Sequence, residues 1–107
     1  MYKLVFFVPE SHLETVKAAV FAAGAGKLGN YDQCCWQLLG QGQFRPLPGA
    51  KPYVGEVAQL TQVPEYRVEL LCAHEYIQPV VTALRAVHPY EEPAFDLSLL
   101  VDPEDFQ

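Results

Sequence analysis

Basic charge, cysteine and long apolar runs are all scarce in this sequence, and each scarcity closes off a class of protein. Seven Lys and Arg stand against thirteen Asp and Glu for a net charge of −6. The basic residues are scattered singly from Lys3 to Arg85. No basic stripe exists to neutralise phosphates, which argues against a nucleic-acid partner. Three cysteines, Cys34, Cys35 and Cys72, make an odd set without CxxC spacing. That pattern supports neither a disulfide framework nor a zinc finger and leaves reduced thiols as the expectation, with Cys34 and Cys72 filling space in the packing. The longest apolar runs, Leu4–Val8 and Val16–Ala23, fall far short of the roughly 20 residues a membrane span needs. No charged-then-apolar signal segment opens the chain, so it reads as a cytoplasmic protein without a membrane partner.

What is present suits one domain over residues 1–107 with a real core, since half of the residues are hydrophobic and about a fifth charged. Tyr2–Val8 is apolar on both alternating faces, the signature of a central strand. Pro9 stops it, and Ser11-His12-Leu13-Glu14 matches a capping box at the start of a first helix. Leu13, Val16, Val20 and Phe21 give that helix its apolar face, and Gly24 a left-handed stop. A second strand is expected over Tyr31–Leu39, with a hairpin turn at Gly40-Gln41-Gly42. An excursion with three prolines and two glycines then runs from Phe44 to Gly55. Glu56–Gln62 and Glu65–Cys72 read as a further strand pair turned at Val63-Pro64, the second strand carrying Tyr66, Val68, Leu70 and Cys72 inward. A second helix begins near Tyr76, so that Pro79 falls in the first turn, and exposes Ile77, Val80, Val81, Leu84 and Val87 to the core. Ala94–Leu100 alternates as an edge strand, and Asp102–Asp105 is an acidic tail.

Gly24-Ala25-Gly26-Lys27-Leu28-Gly29 matches the glycine pattern of dinucleotide sites, but in reversed context. That motif needs a strand before it and a helix after it, whereas here a helix precedes and a strand follows. Glycines that end a helix and permit a tight turn into a strand explain it better, and no Ser or Thr follows Lys27 to make a P-loop. No cofactor is implied.

The element order predicts an α+β fold, a ferredoxin-like β-α-β-β-α-β sandwich with an extra hairpin and a proline-rich excursion. Three stretches within that order also carry a family resemblance. Gly24–Asp32, then Gly42–Pro46 with Gly49–Gly55, and finally His88–Ala94 resemble the domain inserted in YqfO-type members of the Nif-three-like family, whose longer members are labelled GTP cyclohydrolase type 2 homologues. The resemblance covers nearly the whole chain. It implies a fold similar to CutA and the PII signalling proteins and a tendency to form homotrimers. The flanking halves that hold a dinuclear metal centre in the longer members have no counterpart in these residues, so neither those ligands nor the enzymatic label can be placed here. A non-catalytic regulatory or assembly module is therefore the leading expectation. A CutA-like or PII-like sensor of a divalent metal or a small molecule such as a nucleotide is the alternative, and a hydrolase comes last.

The best site candidate is His88-Pro89-Tyr90-Glu91-Glu92-Pro93, a turn made rigid by two prolines and carrying more polar chemistry than a helix-to-strand connection requires. The topology places the end of the first strand beside this turn. Glu10, His12, His88, Tyr90, Glu91 and Glu92 should therefore gather at one sheet edge, with Arg45 of the excursion as a further candidate. Such a set could hold a divalent cation, or the helix start an anion. Alternatively His88 caps the second helix and the two glutamates serve only structure.

Overall fold

The computed structural model describes residues 1–106 and runs β1 (Tyr2–Val8), α1 (Leu13–Ala22), β2 (Trp36–Phe44), β3 (Thr61–Cys72), α2 (Ile77–Val87) and β4 (Phe95–Leu99), with short 3-10 turns at Glu10–His12, His74–Tyr76 and Pro103–Phe106. The strands form one antiparallel sheet in the order β2-β3-β1-β4. This is the ferredoxin-like sandwich of the sequence reading. β1 lies inside the sheet because both of its faces are apolar: Leu4, Phe6 and Val8 are fully buried in the core and Val5 is buried as well. The core also takes Val16 and Val20 from α1, Val80 and Leu84 from α2, and Val68, Leu70 and Cys72 from β3. Each large aliphatic or aromatic side chain removed from water there contributes about 1.5–3 kcal/mol relative to exposure. No helix among the described residues is long and apolar enough to cross a membrane.

Helix ends follow local chemistry, though not always the chemistry expected. At the end of α1, Gly24 N–H donates to Phe21 O and Ala25 N–H to Val20 O, the paired bonds of a Schellman stop, with Gly24 at φ +120°. The capping box does not form. His12 occupies the N-cap without a side-chain bond, and the Ser11 hydroxyl lies 2.8 Å from its imidazole instead. Pro79 is the third residue of α2, so its missing N–H falls among the donors that lack helical partners anyway.

The strand boundaries around the excursion differ from the sequence reading in three places. Tyr31–Cys35 is not strand: Leu28 and Tyr31 close a small turn on themselves, Cys34 is thus outside the sheet, and the glycine-rich loop is longer than a tight turn. Gly40-Gln41-Gly42 is not a hairpin turn but the middle of β2, opposite Glu65, Pro64 and Val63. Val63-Pro64 is not a turn either, because β3 runs straight through it from Thr61 to Cys72. The reason is register. β1 pairs with β3 only from Tyr66 to Cys72, so Pro64 lies where β3 has β2 on one side and nothing on the other, and a missing N–H costs no ladder bond on the open side. The extra hairpin material is therefore a continuation of β2 and β3 beyond the sheet, and Glu56–Leu60 belongs to the loop.

Candidate functional site: a groove on the open face of the sheet

Cross-strand pairs share a face, so β1 and β3 show which side chains point away from the helices. Phe7 pairs with Arg67, and β2 contributes Gly40, Gly42 and Phe44 to the same side, opposite Glu65, Val63 and Thr61. Gly42 leaves its backbone bare, and the Glu65 carboxylate lies where its Cβ would be. The excursion 45–60 then folds back over this face. Gly55 closes it against Phe44 and Thr61, and Ala58 N–H donates to Pro46 O at 2.8 Å. The result is a groove of about 430 Å³ floored by Phe7, Phe44 and Glu65 and walled by Arg45, Tyr53, Tyr90, Glu91 and Glu92.

The proline-framed turn is fixed to the sheet by His88. Its ring is buried, with Nε2 2.7 Å from Phe7 O and Nδ1 3.1 Å from the Tyr90 N–H. A carbonyl only accepts and an amide only donates, so the ring is the neutral tautomer with its proton on Nε2. Burial pushes its pKa below the usual histidine value, the Phe7 carbonyl opposes this, and the nearby His12 adds to it. The backbone N–H of His88 closes α2 on Leu84 O. The side chain thus ties the turn to β1 and does not cap the helix carbonyls.

From His88 an arc of rings leads around the groove: Tyr90 at 5.0 Å between centroids, Tyr53 at 6.1 Å from Tyr90, and His12 edge-on to Tyr53 at 5.8 Å. The Tyr90 hydroxyl donates a long bond of 3.5 Å to Glu65. Burial, then the Glu65 charge, pushes the phenol up to about 12. Burial likewise raises the Glu65 carboxyl, which the Tyr90 bond partly offsets. Glu91 accepts the Lys51 N–H at 3.1 Å and so holds the excursion to the turn.

Of the residues singled out from sequence, Tyr90, Glu91, Glu92 and Arg45 line this groove. His88 stands behind the turn, His12 reaches the groove only through Tyr53, and the exposed Glu10 opens the turn before α1. No group of three or more His, Cys, Asp or Glu among the described residues is arranged to hold a metal ion. Sequence reasoning missed Phe7, Phe44, Tyr53 and Glu65. Alternation did put Glu65 on the outward face, but only the return of the excursion turns that face into a wall.

Comparison with known proteins supplies relatives. No family model matches the chain. It is 48% identical over 101 residues to a protein named GTP cyclohydrolase 1 type 2 homolog from Mycobacterium leprae, covering 94% of this chain and 26% of that protein. The Bacillus subtilis protein of the same name is 43% identical over 95 residues, covering 89% and 26%. The chain thus spans about a quarter of the length of the curated relatives it matches. Among solved structures, a Bacillus cereus protein related to NIF3 superposes with a TM-score of 0.82 at 38% identity, over 94% of this chain and 26% of that one. A PII-like CutA protein from a Nostoc species gives a TM-score of 0.67 at 14% identity, over 98% and 85%. The first shows homology to one segment of the longer proteins, and the second shows a shared fold.

Proposed function

Starting from homology to a domain-sized segment of the GTP cyclohydrolase 1 type 2 homologs of the NIF3 kind, we propose that this chain is a non-catalytic regulatory or assembly module that forms a homotrimer. The observation that carries this reading is the outer edge of β2. Trp36–Phe44 is nine residues long, contains no charged residue, and pairs with β3 on one side only. Trp36, Leu38 and Leu39 are each more than half exposed. A long, uncharged edge that exposes large apolar side chains is a template for further strand pairing, and a protein normally covers or blunts it. A second copy of the chain is the cover that the CutA-like resemblance suggests. Light scattering on the purified chain should give about three times the 12.0 kDa mass of one copy. A monomer at micromolar concentration would remove the reading.

A second reading, a small-molecule sensor, is favoured by the groove, whose volume lies within the usual range of ligand pockets. A thermal-shift screen with divalent metals, nucleotides and small organic cations separates the two, because a specific ligand stabilises by mass action and an assembly module ignores all of them. The metal version has the weaker support, since no three donors converge. A hydrolase has weaker support still. The Cys72 thiol is buried and its pKa raised, first by burial and then by Glu75, which is the wrong direction for a nucleophile.

A further inference from the structure

The groove has a sign as well as a volume. Three carboxylates, Glu65, Glu91 and Glu92, line it against one lining guanidinium, Arg45, while the Arg67 guanidinium lies 5.8 Å from the ring of the floor residue Phe7. The ion pairs of the described residues are Lys3–Glu69, Lys17–Glu14 and Arg67–Glu69, so none of the three carboxylates is paired with a basic side chain. Glu65 is the unusual one, half-buried over the bare backbone of Gly42 with only the Tyr90 hydroxyl for a partner. The rest of the lining is largely apolar, with the rings of Phe7, Phe44, Tyr53 and Tyr90 around the same space. Aromatic faces and unpaired carboxylates attract the same kind of group, a weakly hydrated cation, and both disfavour phosphate and carboxylate ligands.

We propose that the groove binds a small organic cation, an ammonium group carried on an apolar body, with the charge beside Glu65 and the body against Phe7, Phe44 and Tyr53. Charge complementarity selects this occupant: an anion here faces three carboxylates and one guanidinium in the lining. A hydrated metal ion would leave the apolar walls unused. The proposal rests on the reading of the groove as a small-molecule site.

The test is calorimetric titration of the purified protein with benzyltrimethylammonium, and in parallel with benzoate and with ATP, followed by NMR of the Tyr53 and Tyr90 ring signals. The cation should bind and shift both tyrosines. Glu65→Gln and Tyr53→Ala should each weaken it by about tenfold while leaving the oligomeric mass unchanged. The inference is overturned if the cation fails to bind at millimolar concentration, or if both variants bind it as the parent does. It is equally overturned if benzoate or ATP binds as tightly as the cation. Tyrosine shifts with an anion would keep the groove as a ligand site and remove only its cationic character, whereas silence from all three probes would remove both.

Discussion

At the scale of single residues, His88 is the one buried polar residue among those described, and both of its ring nitrogens are committed. Replacing it by Ala strands the Phe7 carbonyl and the Tyr90 amide together. His88→Ala should therefore lose about 2–3 kcal/mol in urea unfolding at fixed protein concentration, well beyond a surface substitution. Burial of the same ring sets a pH dependence. The folded pKa lies below the unfolded value near 6.5, so between those values the unfolded chain holds a proton that the folded chain does not. This contribution to stability is fully present above about pH 6.5 and declines as the pH falls toward the folded pKa. Melting temperatures across pH 5–8 should show that decline in the parent and a smaller one in His88→Ala, and parallel profiles would refute the assignment. Glu91 offers a local counterpart, since only its acceptor oxygen is needed to hold the Lys51 amide. Glu91→Ala should speed hydrogen exchange at that amide, whereas Glu91→Gln should leave it slow.

At the scale of elements, the informative feature is how one excursion changes the meaning of the strands beside it. Ala58 shows the strain this requires: it sits at φ +68°, a left-handed backbone that an alanine adopts at a cost of about 1–2 kcal/mol, held by its bond to Pro46. Ala58→Gly should relieve part of that and raise the melting temperature, and a fall would mean that the loop is not shaped this way in solution. Elements with strong periodicity, such as β1 and α2, could be read directly from their residues. β2 and β3 could not, because Gly40, Gly42 and Pro64 carry turn chemistry in isolation and lose it once cross-strand register is known. Gly42 clears space for Glu65, and Pro64 sits where β3 is open on one side. The site divided in the same manner. Tyr90, Glu91 and Glu92 were visible because two prolines frame them, while Phe44 and Glu65 became a groove only through a loop closure that no local pattern encodes.

At the scale of the whole molecule, shape and exposed surface point the same way. The Cα radius of gyration is 15.4 Å and the principal extents are 52 × 27 × 24 Å, whereas a compact chain of this length would have a radius near 13 Å. The excess follows from the β2–β3 arm, which pairs beyond the end of β1 and has no third strand to support it. Two strands alone are marginal in water. An arm of this length therefore gains most from contact with another copy, and the exposed Trp36 and Leu38 lie on the same strand as its free edge. If folding and association are coupled in this way, stability depends on concentration: the melting temperature of the parent should rise steadily from low to high micromolar protein. Leu38→Lys places a charge on a side chain that is 56% exposed, so it should change the fold of one copy by no more than about 0.5 kcal/mol. It should nonetheless remove the concentration dependence and reduce the scattering mass to that of a single chain. A variant that stays oligomeric, or a parent whose melting temperature is flat across that range, would mean that the β2 edge is tolerated bare and that the arm serves the groove alone.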